Sequence, residues 1–162
     1  MTAHYSQPRG FVGRQIIYVI ECAGRVFGAI AGGSATLHLP GRERFFGVMP
    51  PLNNLVNNTF FHAEPGAGYP IRNFTTAVVA QWRQRIALDW FVEYGDRVHG
   101  FETLVEPPRS GELYRRDGWV EVGATKGQTC KRVAGKGSDS WGGKRVWDTK
   151  NLRPKKVFLR HV

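Results

Sequence analysis

The chain has 162 residues and a mass of 18.2 kDa, which fits one domain, because separate cores arise only beyond about 250 residues. It is 41% hydrophobic and 22% charged, a composition that can bury a core and that excludes global disorder. No run approaches the roughly 18 apolar residues of a membrane helix, and the first residues lack a signal peptide's apolar region. We therefore expect a soluble, cytoplasmic protein without a membrane partner, located in the host cytoplasm if a phage encodes it.

The positive charge is concentrated near the C-terminus. Residues 1–130 contain 13 basic and 11 acidic side chains, whereas residues 131–162 contain ten basic and two acidic ones. Aromatic residues lie between these basic residues, a pattern that favours phosphate neutralisation and stacking on bases. We therefore predict a core at 1–130 and a basic extension at 131–162 that contacts nucleic acid; the alternative is a solvated terminus. The predicted contact residues are Lys131, Arg132, Lys144, Arg145, Trp147, Lys155 and Lys156.

Strand patterns dominate the first part of the chain. Residues 15–21 and 25–30 alternate in polarity and are joined by Cys22-Ala23-Gly24, which predicts a hairpin. Residues 39–51 are rich in turn formers, and residues 55–61 are predicted to form the next strand.

From Pro70 the pattern changes to that of a helix. Apolar residues recur every three or four positions as far as Trp90, and Gly95 stands where a C-terminal cap is expected. The sequence after this helix predicts a strand at 98–105, a short helix at 111–116 and a strand at 119–122. This alternation predicts an α/β (α+β) fold with helices on the faces of a sheet.

A glycine-rich turn before the long helix is a candidate anion site. Gly66 and Gly68 allow a close approach to the backbone, and the first amides of a helix have no helical acceptor. Arg72 and Asn73 in the first turn would strengthen such a site; the alternative is an ordinary loop. The two cysteines and the five scattered histidines have no metal-ligand spacing, so we expect no metal.

The segment from Leu113 to Gly123 resembles the closing element of the GCN5-related acyltransferases, the GNAT fold. In that element a Tyr in a short helix precedes a Gly-aromatic turn into a late strand. The resemblance implies that Tyr114 lies near a thioester as a general acid, a role that needs a rigidly placed hydroxyl. The alternative is a half-buried Tyr that packs its ring.

A wider set of motifs resembles two families: the Mom family of phage DNA-modification proteins and the DruA family of the Druantia phage-defence systems. The motifs are His4-Tyr5-Ser6, residues 42–47, Asn57-Asn58, residues 101–107, residues 111–119 and residues 122–127. The resemblance implies a GNAT-like central mixed, largely antiparallel sheet flanked by helices. It also implies a transferase that modifies the exocyclic amine of adenine in DNA, leading to a carbamoylmethyl-like product.

The same resemblance implies roles for individual residues. Glu106 stands where the families usually have Asp before a Pro, and it is implied to be a general base or an orienting acid; the alternative is a turn cap. We expect Glu106 and Tyr114 to converge on one pocket that is wide enough for an extruded purine. Tyr5 and Ser6 are implied to lie at the mouth of this site; the alternative is a frayed N-terminus.

Two further groups of polar residues have open interpretations. Glu102 lies four residues before Glu106, so it shares a strand face with it and could share a proton or pair with an Arg. Asn57 and Asn58 could read a base edge or bond to the backbone at a strand end.

The donor and the acceptor also remain open at this stage. The resemblance implies acetyl-CoA or another acyl donor at residues 66–73, and aminoacyl-tRNA is the alternative donor because some GNAT-fold enzymes accept it. DNA is then the acceptor, and tRNA a second partner. Two other functions compete: a non-catalytic nucleic-acid-binding component of a DruA-like defence system, and a conventional small-molecule or protein N-acetyltransferase.

Overall fold

The computed structural model describes residues 13–64, 73–133 and 144–162, and within them a six-stranded sheet carries helices on both faces. The sheet order is β1-β2-β3-β4-β8-β5, and all its pairs are antiparallel except β3 with β4, while β6 and β7 form a separate pair. The predicted mixed, largely antiparallel sheet flanked by helices is therefore confirmed. The elements are β1 Gln15–Cys22, β2 Arg25–Ser34, α1 Arg42–Phe46, β3 Leu55–Ala63, α2 Phe74–Tyr94, β4 Gly100–Val105, α3 Glu112–Arg116, β5 Val120–Ala124, β6 Thr129–Val133, β7 Lys144–Asp148 and β8 Lys156–His161.

The first hairpin follows the predicted pattern. β1 and β2 pair antiparallel through a two-residue turn at Ala23 and Gly24, whose φ angles are 51° and 75°. Two positive φ angles give the turn a twist that matches the strands, which is why a Gly is favoured there.

The long helix is also confirmed. In α2, Val79, Trp82, Ile86 and Trp90 are buried against one face of the sheet. It ends at Gly95, which has a left-handed φ of 75° and donates its N–H to the Phe91 carbonyl at 2.9 Å. No helix within the described ranges is long and apolar enough to cross a membrane.

The opposite face of the sheet carries α1, which the sequence pattern did not predict. Phe45 and Phe46 pack on a second buried cluster that contains Leu39, Val157 and Leu159. A helix of five residues is too short to show a helical period, so tertiary packing, and not local pattern, decides that it forms.

A buried ion pair attaches α1 to the sheet. Arg42 donates from Nε and Nη2 to Glu102 Oε2 at 2.9 and 2.6 Å, and both side chains are 1% exposed. The Thr36 amide donates to Glu102 Oε1 at 2.6 Å, and Arg42 Nη2 also donates to the Thr36 carbonyl. Of the two interpretations of Glu102, the structure supports the pair with an Arg.

The prediction that residues 131–162 form an extension outside the core needs a correction. β8, at residues 156–161, lies between β4 and β5, and Val157, Phe158 and Leu159 are fully buried. Three consecutive apolar residues are typical of a strand that is covered on both faces. The prediction rested on the net charge of this segment. Net charge depends mainly on surface residues, so it did not indicate the buried strand among them.

Replacing Arg42 tests the weight of the buried pair. Arg42→Met leaves the Glu102 carboxylate buried without its cation, so we expect a loss of about 3 to 5 kcal/mol in the free energy of unfolding. The control Arg44→Met removes an exposed Arg and should change it by about 0.5 kcal/mol or less. Urea denaturation measures both variants, and similar losses in the two would contradict the assigned role.

Candidate functional site

The main candidate site is a gap between β3 and β4. The two strands pair in parallel over only three positions, Leu55–Asn57 against Gly100–Glu102. A cavity of about 390 Å³ opens beyond these pairs. We call it the wedge cavity; it is lined by residues 58–63 of β3, residues 103–105 and residues 109–114.

A bulge in β3 marks the point where the gap begins. The register of β2 with β3 passes from Gly32↔Asn58 to Ala31↔Phe60, so Thr59 is an extra residue. A bulge leaves the extra residue without a ladder partner and bends the strand. Thr59 therefore lies in the wall of the wedge cavity without a residue opposite it in β2.

A side chain joins the two strands just past their last ladder pair. Thr103 Oγ1 donates to the Asn58 carbonyl at 3.1 Å, and both residues are buried. We call this point, just past the Asn57↔Glu102 pair, the vertex of the wedge cavity. Here the Thr103 hydroxyl gives the Asn58 carbonyl a partner that the backbone ladder no longer provides.

Tyr114 lies in the wall of the wedge cavity and is 8% exposed. Its ring packs against Trp119 and Phe158, with centroid distances of 5.2 and 5.9 Å. Its hydroxyl donates to Asn58 Oδ1 at 2.6 Å. The ring is thus packed, as in the alternative interpretation, and its hydroxyl is held beside β3 by the bond to Asn58.

The short helix α3 is fixed at both ends. It begins after Gly111, whose φ is 80° and where a Cβ would overlap the Phe158 ring, so only Gly fits. Past its other end, Asp117 accepts from Arg83 Nε at 2.6 Å and from Trp119 Nε1 at 2.8 Å. These contacts attach α3 to α2 and to β5.

Glu106 lies elsewhere, and the expectation that it converges with Tyr114 on one pocket is wrong. It lines a separate cavity of about 420 Å³, the Glu106 cavity, together with Arg153 and Lys155. Its carboxylate pairs with Lys155 Nζ at 3.1 Å and with Arg153 Nη1 at 3.9 Å. Side chains alternate between the two faces of the sheet along β4. Glu106 therefore follows on the face that carries Leu104, whereas Tyr114 packs on the face that carries Val105.

A third cavity of about 800 Å³, the basic cavity, adjoins the other two. It shares Leu104 with the wedge cavity, and it shares Lys155 and residues 125, 127 and 128 with the Glu106 cavity. Its other lining residues include Lys126 and Trp147, which is 55% exposed. The sequence suggested Trp147 and Lys155 as contacts, but not that a cavity brings them together.

The remaining predicted site residues have mixed outcomes. Tyr5, Ser6, Gly66, Gly68 and Arg72, and the side chains of Lys131, Arg132, Lys144 and Arg145, lie outside the described residues. Asn73 is the left-handed residue, with φ 62°, that precedes α2. Lys156 Nζ donates to the Ser110 carbonyl at 3.3 Å. Within the described ranges no group of three His, Cys, Asp or Glu could hold a metal.

The sequence did not reveal the partner of Tyr114. Asn58 is one of two consecutive Asn residues, but its contact with Tyr114 spans 56 positions of the chain, and no local pattern encodes it. Asn57 differs from it: its amide donates to Thr36 Oγ1 at 3.3 Å. Asn58, which is buried with both ends of its amide bonded, is not available to read a base edge.

Solved structures with the same fold are acetyltransferases. One is the aminoglycoside acetyltransferase AAC(6')-Ib in complex with coenzyme A and kanamycin, with 12% identity, a TM-score of 0.52, and coverage of 91% of this chain and 66% of that one. A second, from Salmonella typhimurium, modifies the N-terminal serine of a 50S ribosomal subunit protein. It has 13% identity and a TM-score of 0.51, and the match covers 93% of this chain and 65% of that one. A third is the Microcin C7 self-immunity acetyltransferase MccE in complex with acetyl-CoA and AMP. It has 10% identity and a TM-score of 0.50, and the match covers 91% of this chain and 61% of that one.

These likenesses confirm the predicted GNAT-like fold. At this level of identity they establish the fold alone, and the chain spans slightly less than two thirds of the length of these three structures. No protein-family model matches the sequence, and no curated protein matches it either. None of these findings supports the resemblance to the Mom or DruA families.

Removing the hydroxyl of Thr103 tests the vertex of the wedge. Thr103→Val has nearly the same shape but leaves the buried Asn58 carbonyl without its donor, so we expect a loss of about 1 to 2 kcal/mol in the free energy of unfolding. Thr75→Val, at an exposed position of α2, is the control and should have little effect. Guanidinium denaturation compares the two, and an unchanged Thr103→Val would show that the bond does not hold the vertex.

Proposed function

We propose that the protein is an N-acyltransferase that binds an acyl-CoA donor in the wedge cavity. The observation that carries this proposal is the early end of the β3–β4 ladder, with the hydroxyl of Tyr114 in the wall of the resulting gap. Backbone amides and carbonyls of two strands face this gap, and an extended ligand with its own amides can bond to such an edge as an added strand. Two of the three similar structures hold coenzyme A or acetyl-CoA.

The residues of the wedge fit the chemistry of acyl transfer. When bound, an acyl-CoA supplies an acyl group that is activated as a thioester. Tyr114 donates its hydroxyl proton to the sulfur as the C–S bond breaks and the amine nitrogen of the acceptor bonds to the carbonyl carbon. The amine loses one proton, which restores the hydroxyl of Tyr114 through solvent. A backbone amide of β3 at the bulge, where Thr59 has no residue opposite it in β2, would then donate to the reacting carbonyl.

Tyr114→Phe is the direct test of this proposal. We expect calorimetry to show that wild type and variant bind coenzyme A with equal Kd, while kcat falls about 100-fold because the leaving thiolate lacks its acid. Release of the free thiol from acetyl-CoA is followed with kanamycin, a peptide with an N-terminal serine, and an adenine-containing oligodeoxynucleotide as acceptors. Tyr18→Phe is the control, since that hydroxyl bonds to Asp89 outside the wedge.

Two results would overturn the proposal. One is that the wild-type protein binds neither coenzyme A nor acetyl-CoA. The other is that Tyr114→Phe turns over as fast as wild type. A thermal-shift series with acetyl-CoA and with charged tRNA identifies the donor, and stabilisation by charged tRNA alone would replace acyl-CoA as the donor class.

A second candidate function concerns a particular acceptor, the exocyclic amine of adenine in DNA. The specific observation in its favour is the basic cavity, which is lined by an exposed Trp147 and by Lys155 and shares the lining residue Leu104 with the wedge cavity. A flipped base stacks on an aromatic ring, and cations neutralise the neighbouring phosphates. In this function Glu106, which is held beside Lys155, accepts the proton that the amine loses. Nucleoside mass spectrometry of DNA from cells that express the protein detects the product.

Neutralising the rim of the basic cavity separates DNA from a small acceptor. The double variant Lys126→Gln/Lys155→Gln should reduce the slope of log K against log salt for a labelled oligodeoxynucleotide by about 1.5, because each lost phosphate contact removes about 0.7 to 0.9. Fluorescence anisotropy measures the slope. The control Arg97→Gln/Arg116→Gln makes the same change in charge at exposed positions away from this cavity.

Equal slopes in the two double variants would argue against DNA as the acceptor and in favour of a small-molecule or protein substrate. Deletion of residues 131–162 is unsuitable for this purpose, because it removes β8 from the centre of the sheet.

A further inference from the structure

The side-chain amide of Asn58 is held in one orientation. Its Nδ2 donates to the Ala31 carbonyl at 2.9 Å and to the Phe60 carbonyl at 3.2 Å. Carbonyl oxygens only accept hydrogen bonds, so the NH₂ group of the amide must face them, and Oδ1 must face the opposite way. Because Asn58 is 5% exposed, turning the amide over would bury Oδ1 against two carbonyl oxygens, neither of which can donate to it.

The β3 bulge explains why an Asn is present at this position. Ala31 pairs with Phe60, whereas Asn58 pairs with Gly32, so the two carbonyls that the amide bonds belong to the first ladder pair beyond the extra residue, Thr59. The amide therefore bridges the bulge and also determines the direction in which Oδ1 points. The backbone carbonyl of Asn58 is fixed as well, through Thr103.

Tyr114 has little freedom to lie elsewhere. Its ring is enclosed by Trp119 and Phe158, and its hydroxyl stands 2.6 Å from Asn58 Oδ1. Since that oxygen is an acceptor, the phenol must donate to it. The proton of Tyr114 is therefore directed at Asn58 in the ligand-free protein.

We propose that Asn58 is a positioning residue, which holds the Tyr114 hydroxyl at the wedge cavity and sets the direction of its proton between turnovers. The inference rests on the proposed function. In the reaction, rotation about one C–O bond turns this proton from Asn58 Oδ1 to the thioester sulfur. The C–S bond breaks, the new C–N bond forms, and the proton lost by the amine returns to the phenol.

Two measurements on the ligand-free protein test the contact itself. With ¹³C at the ζ carbon of tyrosine, and Tyr114→Phe to assign the signal, Asn58→Ala should move the Tyr114 resonance. Asn54→Ala, which removes an amide that bonds the Arg97 carbonyl, should leave it in place. In wild type, both side-chain amide protons of Asn58 should exchange slowly with solvent. An unmoved resonance in Asn58→Ala would overturn the proposal, and rapid exchange of these protons in wild type would overturn it even if no variant folds.

Kinetics test whether the contact matters for the reaction. With acetyl-CoA and hydroxylamine as the acceptor, Asn58→Ala should lower kcat about tenfold, the effect of one lost hydrogen bond, and leave the Kd of coenzyme A unchanged. In the Tyr114→Phe background the same substitution should lower kcat no further, because Asn58 acts only through the hydroxyl. Asn54→Ala should match wild type in both backgrounds.

The failures of the two proposals are distinguishable. If Tyr114→Phe lowers kcat and Asn58→Ala does not, or if the two effects multiply in the double variant, Asn58 has no positioning role and the acyltransferase stands. If the protein binds no coenzyme A, the proposed function fails, and the resonance and exchange data then decide the contact alone.

Discussion

The early end of the parallel ladder between β3 and β4 is the constraint on which the rest of the site depends. Two adjacent strands that stop pairing expose polar backbone groups, and these groups need other partners. At the vertex the partners are side chains: Thr103 bonds the Asn58 carbonyl, and the Asn58 amide bonds two carbonyls across the bulge. These bonds let the sheet remain open beside a packed core.

The two faces of β4 separate the charged groups from the phenol. Phe101 and Val105 face the core under α2, and Tyr114 packs on that side. Glu102 and Leu104 face α1, where the Arg42 pair fixes the chain between β2 and β3. Leu104 lines cavities on both sides.

The C-terminal residues serve the core and the surface at the same time. Phe158 in β8 is fully buried and supports the ring of Tyr114, while Lys155, the residue before β8, pairs with Glu106 at the rim of the basic cavity. The basic residues and the central strand thus form one continuous piece of structure. Loss of this segment would affect the placement of Tyr114 as well as the surface charge.

The sequence by itself determined the features that short-range patterns encode. Ala23-Gly24 predicted the hairpin turn, the spacing of Trp82, Ile86 and Trp90 predicted α2, and residues 111–116 predicted a short helix. Each of these depends on residues that are neighbours in the chain, so period and turn chemistry suffice.

Only the tertiary structure decided where these pieces meet. It placed β8 inside the sheet, brought Asn58 to Tyr114 across 56 positions, and put Glu106 in a different cavity from Tyr114. Strand order and the alternation of faces along β4 control these outcomes, and both depend on contacts between residues that are distant in the chain. Composition and short motifs do not encode such contacts, because these contacts arise from the packing of the whole sheet.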